Sequence, residues 1–279
     1  MAPMTVGILH PGEMGSVVGA AARANGARLL WASEGRSPGS GARAANAGLE
    51  DVKTLEQLVA SSDLILSICP PDAAIDQART VAAHRFAGLY VDANAVSPGT
   101  AQEVGRIVEQ AGATFVDGGI IGSPPKTRGS TRLYLSGPKA GRIAELFVQG
   151  PLEAIALDGG PGAASALKMA YAAYTKGTAA LLMSIRAFAS RAGVDEDLLS
   201  EWKRSQPELP ALAERAVRST PAKAWRFVGE MEEMAAAFEQ AGLPGGFSKA
   251  AAEIYRRLAP CKDASAPPTL AQVVAALVK

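Results

Sequence analysis

The sequence predicts an α/β protein in two parts: a parallel-sheet domain over residues 1–160, then an all-helical domain over residues 161–279. Three observations carry this. Short apolar runs alternate with helical patterns through the first half, as a parallel sheet with crossover helices requires. Strand signals stop after the Gly159-Gly160-Pro161-Gly162 stretch. The length of 279 residues suits two domains, at roughly 150 residues per domain.

Val6 to Leu9 is the first strand. Met14 to Asn25, small and apolar at helical spacing and stopped by Gly26, is the first helix, and Arg28 to Ala32 closes one βαβ unit. Further strands follow at Leu64 to Cys69, Leu89 to Asp92, Thr114 to Asp117 and Leu133 to Ser136, bounded by turn residues such as Pro70-Pro71 and Ser97-Pro98. Ser97 reads as a helix N-cap with Pro98 at the first helical position. Beyond the glycine stretch the helices are Ala163 to Ala192, Asp195 to Ser205, Ala222 to Ala241, Phe247 to Leu258 and Thr269 to Val278. Pro207, Pro210, Pro221 and the Ala264 to Pro268 stretch mark loops, and no repeat of fixed period is present.

Composition narrows the chemistry. With 48% hydrophobic and 20% charged residues, the chain reads as soluble and globular, which excludes disorder and collagen. A net charge of +1 without blocks of like charge gives no electrostatic reason to expect nucleic acid or an anionic membrane as partner. The opening segment lacks the basic start and long apolar run of a secretion signal, and Lys176 and Arg186 interrupt the most apolar later stretch. Cys69 and Cys261 form neither a disulfide framework nor a metal-ligand spacing, so a reducing cytoplasm and no metal are expected. Only His10 and His84 are present, which argues against a histidine zinc site or a Ser-His-Asp triad. Carboxylates, lysine and tyrosine are left to do chemistry.

Between the first strand and the first helix stands His10-Pro11-Gly12-Glu13-Met14-Gly15, where a dinucleotide fingerprint reads G-x-G-x-x-G with His10 in place of the first glycine. Gly12 lets the backbone approach a pyrophosphate, Gly15 lets the helix pack closely, and the helix N-terminus offers N–H groups to anions. A Rossmann dinucleotide-binding domain is therefore expected, with His10, Pro11, Gly12, Glu13 and Met14 at the cofactor. The place where an NAD site carries an acid holds Ala32-Ser33, followed by Glu34-Gly35-Arg36-Ser37. Ser33, Arg36 and Ser37 suit a 2′-phosphate, so NADP is expected. NAD is possible if Glu34 binds the ribose and Arg36 is a solvated loop residue. Cys69, Pro70 and Asn94, at or just past the carboxyl ends of two strands, complete the cofactor set, because open α/β sheets bind ligands there.

Four stations, in order, resemble the β-hydroxyacid dehydrogenase superfamily, which includes 3-hydroxyisobutyrate and 6-phosphogluconate dehydrogenases. They are Gly12-Glu13-Met14-Gly15, then Asp92-Ala93-Asn94-Ala95-Val96-Ser97-Pro98, then Asp117-Gly118-Gly119-Ile120-Ile121-Gly122-Ser123, and Gly162-Ala163-Ala164-Ser165-Ala166-Leu167-Lys168. The resemblance implies that the second and third contact substrate and that Lys168 is the catalytic lysine. It also implies a homodimer built through the helical domain. The chain departs from the family at Ala164, which replaces a glycine, at Ile121, which replaces a serine, and at Ala172, which replaces an asparagine.

Lys168 lies in an apolar helical stretch, where desolvation lowers a lysine pKa enough for it to take an alcohol proton. Tyr171 and Thr175 share its helix face and are candidates for the hydroxyl that the missing asparagine would have supplied. Ser97, Gly119, Gly122 and Ser123 are expected at the substrate; the bland alternatives are an N-cap for Ser97 and a Gly-Pro turn for the others. Arg226 is expected to bind an acid group of the substrate, or else to pair with Glu230 four residues on. The expected function is an NADP-preferring oxidoreductase acting on a small β-hydroxy acid or its carbonyl counterpart. The alternatives are an imine reductase on the same fold and a non-catalytic NADP-binding sensor or assembly protein.

Overall fold

The computed structural model describes residues 3–264 and 266–278; Ser265, in the loop expected at 264–268, and the first two residues of the opening segment lie outside them. Eight strands form one sheet: β1 (Thr5–Ile8), β2 (Arg28–Trp31), β3 (Glu50–Asp51), β4 (Leu64–Ser67), β5 (Leu89–Asp92), β6 (Thr114–Gly122), β7 (Thr131–Ser136) and β8 (Glu153–Ala156). Their order is β3-β2-β1-β4-β5-β6-β7-β8. Strands β1 to β6 are mutually parallel, β7 runs antiparallel to β6, and β8 runs parallel to β7. The first six carry the doubly wound dinucleotide order, whose direction reverses between β1 and β4 and opens a crevice at the strands' carboxyl ends. The expected α/β fold with a helical second half is the fold observed.

Alternation along the strands builds two cores, because successive side chains point to opposite faces. Leu64, Leu66, Val91 and Val116 join Val18, Ala21 and Ala22 of α1 (Glu13–Arg23) on one face. Ile65, Tyr90 and Phe115 join the other face, against Leu58 of α3 (Leu55–Ser61), Val81 of α4 (Ala74–Ala83) and Val104 of α5 (Pro98–Gln110). With both faces covered, short strands become continuous apolar runs, which is why they were legible in the sequence. Less legible were α2 (Pro38–Asn46), α3, β3, α6 (Ala140–Ala144) and β8, which are short and weakly patterned.

One boundary differs in a way that matters. The strand expected to end at Asp117 continues as β6 to Gly122, because β7 pairs along it from Asp117↔Ser136 to Gly122↔Thr131. Its glycines accommodate neighbours. A Cβ on Gly118 would lie 3.0 Å from the Asp92 carbonyl oxygen, and one on Gly119 would lie 2.6 Å from that of Ala164.

The chain divides into two compact units, Met1–Met169 and Ala170–Lys279. The sequence reading divides it at residue 160; compactness divides it within α7 (Ala163–Ala192). The second unit holds the rest of α7 with α8 (Asp195–Ser205), α9 (Leu209–Ser219), α10 (Ala224–Gln240), α11 (Gly246–Leu258) and α12 (Leu270–Leu277). Its core includes Met183, Met231, Met234, Tyr255, Leu258 and Val273. Buried Arg186 of α7 makes a two-pronged ion pair with Asp195 at the start of α8, at 2.5 and 2.8 Å.

Candidate active site

The loop from β1 to α1 has the shape that its glycines predict. A Cβ on Gly15 would stand 2.1 Å from the His10 carbonyl oxygen, so only glycine lets α1 lie this close to the loop. A Cβ on Gly12 would meet nothing within 4 Å, which leaves the loop backbone open on that side. Gly12 is the N-cap of α1, and no side-chain cap bond is made there. The His10 imidazole is largely buried, its Nδ1 has no hydrogen-bond partner, and burial, aided by the Arg36 charge, pushes its pKa down to about 4. These features fit a dinucleotide: open backbone, an uncapped helix N-terminus and a neutral imidazole atom awaiting a partner.

Beside the loop, Leu9, Ala32, Glu34, Arg36, Leu55, Leu58, Gln77 and Thr80 line a cleft of about 170 Å³. The apolar groups suit an adenine ring, and Glu34 and Arg36, the two residues expected to compete for ribose and 2′-phosphate, both line it. Ser33 donates its N–H to Asp51 at 3.2 Å, and Ser37 caps α2 by accepting from the Ser40 N–H. Sequence reasoning missed Arg43, whose Nε donates to the Pro11 carbonyl at 3.0 Å and braces the glycine loop from α2. No local pattern announces a contact across 32 residues.

At the ends of β4 and β5 the polar residues tie the two strands together. Asn94, only 2% exposed, accepts from the Cys69 N–H at 2.5 Å, donates to Ser67 Oγ at 3.2 Å, and donates its own N–H to Asp92 at 2.9 Å. Burial, together with the Asp92 charge, pushes the Cys69 thiol up to about 12, so it stays protonated at neutral pH. Ser97 is fully buried and caps α5, accepting from the Thr100 N–H at 3.2 Å. Pro70 is exposed beside Cys69. Structure thus gives Asn94 and Ser97 internal partners as well as a position at the crevice.

The third and fourth stations meet. A Cβ on Gly119 would lie 3.0 Å from Lys168 Cβ, so the stem of Lys168 rests on β6 at the glycine. Gly122 has φ +125°, a conformation that side chains rarely adopt, and a Cβ there would strike the Ser130 carbonyl at 2.5 Å. The carbonyl of Ser123 accepts from the Thr131 hydroxyl. Tyr171, Thr175 and Arg226 belong to the second unit. Tyr171 is exposed, and the Thr175 hydroxyl donates back to the Tyr171 carbonyl at 3.2 Å. Glu230 takes Lys176 as its ion-pair partner; both side chains are about one-seventh exposed, and the Phe227 ring centroid stands 5.0 Å from Lys176 Nζ. Among the described residues no group of His, Cys, Asp and Glu could hold a metal, and no helix is long and apolar enough to cross a membrane.

A doubly wound sheet, an open glycine loop at the head of its first helix, and a lysine resting on a glycine of the sixth strand define the class: a dinucleotide-binding, dehydrogenase-like enzyme. The model for the NAD binding domain of 6-phosphogluconate dehydrogenase matches residues 5–146, and the chain belongs to that family, within the β-hydroxyacid dehydrogenase superfamily. A second model, a domain of unknown function, matches residues 189–258. An uncharacterised 28.5 kDa protein of Methanothermus fervidus is 32% identical over 167 residues, covering 60% of this chain and 63% of that one. A conserved protein of unknown function, described as structurally similar to 3-hydroxyacid dehydrogenases, is 28% identical with a TM-score of 0.71, covering 93% of this chain and 98% of its own. The Mycobacterium tuberculosis 3-hydroxyisobutyrate dehydrogenase with L-serine shares the fold at TM-score 0.70 and 18% identity, over 99% of this chain and all of that one. A Streptomyces aurantiacus imine reductase shares it at TM-score 0.53 and 17% identity, over 99% of both.

Proposed function

We propose that this chain is an NADP-preferring oxidoreductase that moves hydride between the nicotinamide and a small β-hydroxy acid or the matching carbonyl compound. Lys168 is its general acid and base. The observation that carries the reading is the Lys168 stem on Gly119 of β6, in the same compact unit as the dinucleotide loop. His10, Pro11, Gly12, Glu13 and Met14 hold the pyrophosphate side, Cys69, Pro70 and Asn94 the crevice side, and Ser33, Arg36 and Ser37 the 2′-phosphate.

A nicotinamide dinucleotide, when held by these residues, would supply the hydride acceptor or donor. In oxidation, neutral Lys168 Nζ takes the hydroxyl proton, the O–H pair becomes the new C=O π bond, and the carbinol hydrogen departs with its electron pair. In reduction the ammonium returns that proton to oxygen. Ser97, Gly119, Gly122, Ser123 and Arg226 are the proposed substrate contacts, and Tyr171 and Thr175 the proposed catalytic hydroxyls in place of the missing asparagine.

The test is nicotinamide absorbance with pooled β-hydroxy acids, using NADP and NAD in parallel, on the wild type and Lys168→Ala. Turnover is expected to favour NADP and to fall by about 10²–10⁴-fold in the variant while dinucleotide binding persists. Unchanged turnover would remove Lys168 from the chemistry. Imine reduction is the second reading, favoured by Ala172, a buried alanine where the resemblance calls for a hydroxyl-orienting asparagine. Turnover of cyclic imines without turnover of hydroxy acids selects it, and tight binding with neither class turned over selects a non-catalytic dinucleotide binder. We further propose a homodimer formed through the helical unit and, from the two unpaired cysteines, a cytoplasmic setting.

A further inference from the structure

We propose that Asp117 is a positioning residue for Lys168, acting through a buried clamp of Ser136, Ser165 and the first turn of α7. The proposal rests on Lys168 as the proton carrier.

Asp117 sits on β6 and is wholly buried. One carboxylate oxygen accepts from the Gly162 N–H at 2.9 Å, the Ser165 N–H at 3.0 Å and the Ser136 hydroxyl at 3.0 Å. The other accepts from the Ser165 hydroxyl at 2.6 Å. Ser136, on β7, in turn accepts from the Ala164 N–H at 3.1 Å. Three N–H groups at the head of α7 are thus satisfied by two strands distant in sequence rather than by a local cap. A buried carboxylate is costly without such donors, and it is favoured where a helix presents its positive end. Four donors converge on this one carboxyl group, whereas an amide would bring two N–H hydrogens that themselves need acceptors.

The clamp fixes both the rotation of α7 and its position along β6. Lys168 lies one turn beyond Ser165, and Gly119 lies two residues beyond Asp117, on the same face of the strand. That is where Gly119 receives the Ala164 carbonyl and the Lys168 stem. Two contacts in register, 117 with 162–165 and 119 with 164 and 168, hold the lysine at the crevice. Loosening the first frees the second.

The test reads Lys168 directly and needs no substrate. Trace acetylation of the full-length protein across a pH series, quantified by mass spectrometry, gives the relative rate and midpoint of each lysine. In Asp117→Asn and Ser165→Ala, Lys168 is expected to change its rate relative to exposed Lys53 by about threefold or more, equivalent to half a pKa unit. Lys176, in the second unit, should hold its profile. A Lys168 profile that superimposes on the wild type in folded variants, with only the melting temperature lowered, would assign Asp117 a purely structural part and overturn the proposal. If Asp117→Asn does not fold, Ser165→Ala and Ser136→Ala, which keep the carboxylate, decide it alone. Failure of the proton-carrier reading is seen separately, as Lys168→Ala that retains turnover.

Discussion

His10 occupies the place of the fingerprint's first glycine, and it does so as a buried neutral base. Its folded pKa of about 4 lies below the unfolded 6.5, so the unfolded chain takes up the proton first as pH falls. The stability that goes with neutral His10 is therefore complete above about pH 6.5 and lost progressively toward about pH 4. Replacing it with asparagine should shrink the drop in melting temperature between about pH 7 and about pH 4.5; equal drops in the two proteins would show that His10 does not titrate in that window. Its place in the loop was legible from sequence, but its burial and its neighbour Arg36 were not. Glu230 teaches the same lesson. Helical spacing offered it Arg226; folding also brought it Lys176 of α7, 54 residues away.

The β1-loop-α1 unit separates two glycines that sequence alone treats alike. Helix propensity favours alanine over glycine by about 1 kcal/mol, so Gly15→Ala would stabilise an isolated helix. Here the 2.1 Å approach to the His10 carbonyl, a backbone atom, outweighs that gain. Gly15→Ala is expected to lower both the melting temperature and NADPH affinity. Gly12→Ala, with open space around its Cβ, should keep the melting temperature while losing about tenfold or more in affinity, since the clash is with the ligand. Calorimetry and equilibrium binding on the two variants check this; a Gly15→Ala protein that melts higher than wild type would contradict it. For β6 the strand read from sequence stops at Asp117, just before Gly118-Gly119, and glycine is depleted in strands. The glycines are there for close approach by other backbone, a requirement visible only once Asp92 and Ala164 are in place.

At the scale of the whole molecule, the proposed homodimer is tested on the long helix α7. Tyr174, Leu181 and Phe188 recur every seven residues and are 71%, 42% and 74% exposed, an apolar seam along the part of α7 in the helical unit. A seven-residue repeat of this kind suits helix-to-helix packing against a second copy of the same chain. Light scattering during size exclusion should report a dimer, and Phe188→Glu should shift it toward monomer. A wild-type monomer at micromolar concentration would count against the homodimer.

From residue order alone came the α/β class, most strands of the doubly wound sheet, the glycine loop, the helical second half and the four stations of the family. All of these are local: periods of two and 3.6, glycines at fixed spacing, and apolar runs buried on both faces. Tertiary structure alone decided which of those residues meet. The Arg43 brace on the loop, the Asp117 clamp on α7 and the partner of Glu230 all join segments tens of residues apart. Such contacts depend on the path of the whole chain, which fixes donors and acceptors in space, and no window of sequence contains both ends of them.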